Sequence, residues 1–199
     1  MLQAITLVKR GLKTGRKNPV PSDYCIFDTK LHALAFRHGV HLDAYVANGI
    51  VRAYSVAARL RAARKVFDEV PERNAAVYTT MVSAYAQNGR HQDAIGMFDE
   101  MLHEGIEPGG AALASVLSAC ARSALGGLEM GRRVHDIMEA RGMTSPVGVV
   151  LGTALVDMYA KNGAIREAVA VFEVSELKKS FMGELFAEAQ IDTSESSSH

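Results

Sequence analysis

Residues 81–101 read Met81-Val82-Ser83-Ala84-Tyr85-Ala86-Gln87-Asn88-Gly89-Arg90-His91-Gln92-Asp93-Ala94-Ile95-Gly96-Met97-Phe98-Asp99-Glu100-Met101. Met81, Val82 and Tyr85, then Ala94, Met97, Phe98 and Met101, recur at intervals of three and four, the period of a helix with one apolar face. Asn88-Gly89 falls between the two runs, where glycine accepts the left-handed conformation that ends a helix. The stretch therefore predicts two helices joined by a tight turn.

The same phrase returns on both sides. Upstream stands Ile50-Val51-Arg52-Ala53-Tyr54, followed by Ala62-Ala63-Arg64-Lys65-Val66-Phe67-Asp68-Glu69-Val70. Downstream stands Leu155-Val156-Asp157-Met158-Tyr159-Ala160-Lys161-Asn162-Gly163, followed by Glu167-Ala168-Val169-Ala170-Val171-Phe172. In each copy Tyr precedes Ala by nine residues and Ala precedes Phe by four, and Phe67 and Phe98 are 31 apart. The 74 positions from Phe98 to Phe172 hold one more unit, in which Cys120 takes the Tyr place and Gly131 the small-residue place. Pro71 and Pro108 follow second helices and prevent their continuation. No window alternates with the period of a strand. A lone hairpin cannot bury both faces, so the units are expected to stack as an α-solenoid whose inner helices share one surface.

Composition sets the bounds. The 199 residues are 48% hydrophobic and 22% charged, with 22 Lys+Arg against 22 Asp+Glu. Such a chain has the apolar content of a packed domain or a short repeat array. The zero net charge is uneven. Residues 1–22 hold Lys9, Arg10, Lys13, Arg16 and Lys17 and no acid, residues 173–199 carry −4, and the body is near −1. A uniformly basic coat for nucleic acid is excluded, while a local basic groove is not. Cys25 and Cys120 stand far apart, which excludes a disulfide framework or a Cys-rich zinc module and suits a reducing compartment. The apolar runs at 109–121 and 147–156 are too short to span a bilayer.

At the amino end Leu2, Ile5, Val8 and Leu12 recur at helical spacing among basic residues. This pattern reads as an organellar transit peptide, with the mitochondrion expected and the chloroplast as alternative. A solvated basic helix or an arm touching nucleic acid is the competing reading.

These residues resemble the pentatricopeptide-repeat family, and more narrowly the plant type that alternates 35-residue, longer and 31-residue repeats. The 35-residue unit, Ala75–Gly109, has Tyr78, Met81, Val82, Tyr85, Gly89, Ala94, Phe98, Met101, Gly105 and Pro108 in register. Val70-Pro71-Glu72-Arg73-Asn74 is similar to the closing phrase of a short repeat, and Gly131-Arg132-Arg133-Val134-His135 to a phrase of the long one. The resemblance implies a right-handed α-solenoid of about four helix-turn-helix hairpins. Its implied divisions are a basic amino-terminal region at 1–30, a partial long repeat at 31–43 and a short repeat at 44–74. A 35-residue repeat at 75–109, a long repeat at 110–146 and a partial short repeat at 147–175 follow. Residues 176–199 are expected to form an amphipathic capping helix, or a docking helix for a partner, and then a disordered acidic tail. The tetratricopeptide repeat, of similar period, wants small residues where this chain has Val51, Val82 and Val156, then Val70, Met101 and Ser175. Three departures stand out: Ala58 replaces a turn glycine, about two residues are added near Ala124–Gly127, and the closing phrase is missing after Val174. They lead us to expect a short or truncated member.

The resemblance also implies a function. In this family a side chain early in the first helix and the last residue of the repeat together read about one RNA base. On this chain the pairs are Asn48 with Asn74, implying a pyrimidine, and Thr79, implying a purine, with Gly109 in its partner place. Thr153 stands at the reading place of the last unit, and Ala114 of the long unit has no group to read with. Tyr45, Ala76 and Val150 hold the places that sandwich base faces. From the residues alone, Asn48 and Thr79 read rather as caps of first-turn backbone donors. The expected partner is single-stranded organellar RNA, bound weakly, with a separate editing or processing enzyme recruited to it. A protein-interaction scaffold or decayed copy without RNA affinity is the alternative.

Nothing in the sequence points to catalysis. His38 and His41 are three apart without a Cys or carboxylate cluster, and His32 and His135 belong to the long-repeat phrase. No phosphate-binding, nucleophile-elbow or zinc-protease motif occurs. The H-x-E and P-C-x-x-C of zinc deaminases are absent too. The expectation is therefore no enzyme, no catalytic residue, no metal or other cofactor, no small-molecule substrate and no membrane contact.

Overall fold

The computed structural model describes residues 30, 32–143 and 149–174. The expected transit peptide, capping helix and acidic tail lie outside the described residues. Among the described residues every regular element is helical. Helices α1 (Ala44–Val56) and α2 (Leu60–Glu69) form one hairpin, and α3 (Ala75–Gln87) and α4 (His91–His103) the next. They are followed by α5 (Gly110–Cys120), α6 (Gly127–Ala140), α7 (Val149–Lys161) and α8 (Ile165–Val174). A further helical stretch covers 32–37. The chain divides into two compact units that part after Ala119.

In the first unit, α1 packs on α2 and on α3, and α3 packs on α2 and α4. The apolar stripes seen in the sequence make this core: Ile50, Val51, Phe67, Tyr78, Met81, Val82, Phe98 and Met101 are all fully buried. Burying one such side chain contributes about 1.5–3 kcal/mol, so the repeated Tyr–Ala–Phe spacing is the main source of stability. Phe67 meets Tyr78 edge-on at 4.9 Å between ring centres. Burial pushes the Tyr78 phenol up to about 12, with Glu100 and Glu104 adding to the effect. On the outer side Arg64 joins Asp68 of its own helix at 2.8 Å and Glu100 of α4 at 3.3 Å.

The closing phrase 70–74 has a plain physical task. Arg73 donates to the carbonyls of Phe67 and Asp68 at 3.1 and 3.2 Å, satisfying the end of α2. Its guanidinium also lies 4.9 Å from the centre of the Phe67 ring. The next residue, Asn74, caps the start of α3. One dipeptide thus ends one helix and begins another.

Turns within hairpins share one backbone path. Arg59 N–H donates to Tyr54 C=O at 2.8 Å, Arg90 N–H to Tyr85 C=O at 2.9 Å, and Ala164 N–H to Tyr159 C=O at 2.9 Å. The residue before each donor has positive φ: Ala58 at 57°, Gly89 at 75° and Gly163 at 77°. Packing on both sides forces the same turn on alanine that glycine adopts freely. Asn88 donates to its own helix at Ala84 C=O (2.8 Å) and weakly across to Ser55 C=O (3.4 Å). Asn162 repeats this in the second unit, to Met158 C=O at 2.8 Å and Cys120 C=O at 3.2 Å.

In the second unit α7 packs on α6 and α8. Gly131 is buried where a Cβ would run into the Met158 side chain, and at Gly127 a Cβ would run into the Cys120 carbonyl. The small-residue place of the long unit is therefore set by close helix contact. Arg132 and Glu167 pair at 3.0 Å. Both histidines of the long-repeat phrase take up the same task. His32 Nδ1 and Tyr54 hydroxyl are 3.0 Å apart, as are His135 Nδ1 and Tyr159 hydroxyl. The rings of each pair meet edge-on, at 5.8 and 5.7 Å. Burial holds the His32 imidazole below its ordinary range, keeping it neutral.

Candidate nucleic-acid interface

First helices set the register of the candidate residues. They open at Ala44, Ala75, Gly110 and Val149. Tyr45, Ala76 and Val150 are hence second residues of their helices, and Asn48, Thr79, Ala114 and Thr153 fifth residues. Positions two and five are one turn apart, so they share a face. Tyr45 is 69% exposed and Val150 73% exposed, and Ala76 and Gly109 are exposed as well. Tyr45 offers an aromatic surface, whereas Ala76 offers a methyl group and Gly109 no side chain.

The fifth residues differ in what they hold back. Asp43 caps α1, its Oδ1 accepting from Tyr45 and Val46 N–H at 3.0 and 3.1 Å. Asn48 is thus not needed as a cap. Its Oδ1 is buried and has no hydrogen-bond partner among the described residues. Such an acceptor costs about 1–3 kcal/mol while unpaired. Thr79 and Thr153 donate to the carbonyls four residues back, Ala75 and Val149, both at 2.6 Å. Those hydroxyls have spent their proton and can only accept. Asn74 caps α3, its Oδ1 accepting from Ala76 and Val77 N–H at 3.1 Å each. Its carbonyl oxygen is committed to the fold, and the NH2 group is the part left to donate.

Arg52 was not singled out from the sequence. It stands four residues after Asn48 on the stripe of Tyr45 and Asn48, and it is exposed. Corresponding places hold Ser83, which shares a hydrogen bond of 2.8 Å with Ser115, and Asp157, paired with Lys161 at 2.8 Å. Only knowledge of the helix start shows that Arg52 lines up with the reading positions. Burial pushes the Cys120 thiol up to about 12, leaving it unreactive. Among the described residues no group of three His, Cys, Asp or Glu could hold a metal. No helix among them is long and apolar enough to cross a membrane.

Paired helices of fixed register, joined by αL turns, define the class of helical-hairpin repeat proteins. The chain carries repeats of the pentatricopeptide family: the family model described as PPR repeat matches residues 76–106 and 153–175. It is 33% identical over 143 residues to pentatricopeptide repeat-containing protein At4g21065 of Arabidopsis thaliana, covering 72% of this chain and 23% of the relative. Identity is 35% over 147 residues to At5g55740, chloroplastic, covering 74% of this chain and 17% of the relative. It is 35% over 153 residues to At5g46460, mitochondrial, covering 77% and 21%. Both of these are also from Arabidopsis thaliana. The chain spans about a fifth of the length of these curated relatives. Its fold is like that of the pentatricopeptide repeat protein PPR10, crystallised in complex with an 18-nt psaJ RNA element. That likeness has a TM-score of 0.54 at 20% identity and covers 90% of this chain and 29% of PPR10.

Proposed function

We propose that the chain binds single-stranded RNA through the face opened by Tyr45, Asn48 and Arg52, as an adaptor for organellar RNA modification or processing. The observation that carries this reading is the unpaired, buried amide oxygen of Asn48 one turn from an exposed Tyr45 ring. Turned outward, that amide oxygen accepts from a base N–H. A base stacked on Tyr45 adds about 1–3 kcal/mol. Arg52 supplies charge for a phosphate. Asn74 NH2 donates to the same base edge, and the amide pair favours a pyrimidine. Thr79 and Thr153 act as acceptors for a base donor, with no partner side chain at Gly109. The likeness to PPR10 and the pentatricopeptide repeats support RNA as the ligand. The chloroplastic and mitochondrial names of relatives support an organelle as the place, and recruitment of C-to-U editing chemistry is one role such an adaptor would serve.

Titration of the full chain with labelled homopolymeric RNAs at low salt tests this reading. The expected result is weak binding that prefers oligouridylate or oligocytidylate to oligoadenylate, with the preference removed in Asn48→Ala. Absence of binding to every homopolymer would leave the scaffold reading in its place.

A further inference from the structure

The turns that close the first two hairpins flank one solvent-facing cleft of about 540 Å³. Ala58, Arg59 and Arg61 line it from the first hairpin, and Asn88 and Arg90 from the second. All of these residues belong to the first compact unit. Three of the seven lining residues are arginines and none is a carboxylate, so this end of the unit carries a positive potential. The Arg59 guanidinium lies 5.2 Å from the centre of the Tyr54 ring. Asp93 holds Arg90 through its Nε at 2.6 Å, which leaves the terminal NH2 groups to donate. Arg61 is exposed, and Asp68 and Glu100 are engaged by Arg64 instead. In the last hairpin Ala164 holds the place that Arg59 and Arg90 hold in their turns. The arginine pair is therefore a property of the first two turns and not of the hairpin frame itself.

We propose that this cleft binds a phosphate group, which accepts hydrogen bonds from arginines of both hairpins. A guanidinium presents a fork of N–H donors that matches phosphate oxygens in pairs, and such charge-assisted bonds are the strong ones. Phosphate spreads its oxygens tetrahedrally, so arginines on opposite walls can donate to different oxygens of one group. The two coplanar oxygens of a carboxylate suit that arrangement less well. Binding also offsets the mutual repulsion of the arginines. The uncapped start of α2, at Leu60 in the same wall, adds N–H donors but is not what makes the site. The cleft is separate from the face of Tyr45 and Asn48. Asn48 and Ala58 are ten residues apart, about 15 Å along a helix axis. An RNA backbone passing the turns and free phosphate offer the same chemistry, and the inference does not depend on base reading.

NMR titration of the full chain with inorganic phosphate, against sodium chloride at matched ionic strength, tests it. Saturable shifts are expected in the Nε–H signals of Arg59, Arg61 and Arg90 and in the amides of 58–62, with none from chloride. Arg59→Gln/Arg61→Gln should weaken phosphate binding by about tenfold or more, because hydrogen bonds to a charged group are lost. Should the double variant lose structure, Arg61→Gln alone, at an exposed site, decides the matter with a loss of about threefold or more. Tyr45→Ala should leave the phosphate shifts unchanged, which separates this site from the base-reading face. Shifts that chloride reproduces, that do not saturate, or that persist undiminished in Arg61→Gln would overturn the inference. Adding oligouridylate then separates the two sources, and either result upholds the site. Displacement of phosphate from these arginines assigns the cleft to an RNA backbone, and absence of competition assigns it to free phosphate.

Discussion

The two hairpins of the first unit have the same frame and opposite strengths. The α1–α2 hairpin carries an exposed Tyr45, the unsatisfied Asn48 and the exposed Arg52 on one stripe. Its turn is the poorer one, with Ala57 in place of the clamping Asn and Ala58 held at positive φ. The α3–α4 hairpin has Asn88 tied to two carbonyls and Gly89 free to adopt its turn, yet its face shows only Ala76 and a Thr79 hydroxyl already engaged. Scaffold quality and binding chemistry are thus separable, because they sit at opposite ends of the same helices. Turn residues decide how firmly a hairpin closes, and on the proposed reading residues two, five and nine of its first helix decide what it can hold.

The largest effect that would probe this comparison lies in the core. Phe98→Ala should destabilise by about 3–5 kcal/mol, since a fully buried ring leaves a cavity. Phe172→Ala, at a half-buried site, should cost clearly less. Chemical denaturation of both variants checks this, and equal losses would show that the last hairpin is as well covered as the second. Grafting the first face onto the second comes next. Ala76→Tyr/Thr79→Asn should tighten RNA binding by about 1–3 kcal/mol, read as a lower Kd in a fluorescence titration. An unchanged Kd would mean that the second hairpin does not face RNA.

The turns give a smaller, signed pair. Ala58→Gly should stabilise by about 1 kcal/mol, and Gly89→Ala should destabilise by about 1–2 kcal/mol, because only the residue with a Cβ is strained at this φ. Thermal melts measure both. In the absence of RNA, replacing Asn74 by Ala should cost about 1 kcal/mol through loss of the α3 cap. The smallest effect concerns pH. His32 has a lower pKa in the folded chain than in the unfolded one, so its neutral form is the one the fold keeps. Its contribution is complete above about pH 6.5 and is lost as pH falls below that value, where the unfolded chain takes up the proton first. Melting temperature should decline on acidification from pH 7.5 to 5.5, and the slope should flatten in His32→Gln.

Much of this frame was legible beforehand, for a physical reason. The Tyr–Ala–Phe spacing is a local record of helix period and turn length, and both are short-range properties. The same register makes Tyr45 and Val150 second residues, and Asn48, Thr79 and Thr153 fifth residues, of their first helices. Ala58 could be seen as odd for the same reason. What stayed hidden involves partners far apart in the chain. His32 with Tyr54 and His135 with Tyr159 are separated by 22 and 24 residues. Asn162 reaches a carbonyl 42 residues away. Asn74 was read for its place at the end of a repeat, and its second task at the start of α3 emerges only from the bonds it accepts. Asp43, not Asn48, caps α1.

The central claim is that RNA affinity resides in the first hairpin's face. Its most direct test is the Kd for a labelled oligouridylate, measured at low salt for the full chain, for Tyr45→Ala and for Val150→Ala. Both side chains are exposed second residues of first helices, so neither change should disturb the core. Tyr45→Ala is predicted to weaken binding by about 1–3 kcal/mol, and Val150→Ala to change it by less than about twofold. Equal effects from the two variants, or no effect from Tyr45→Ala, would contradict the account.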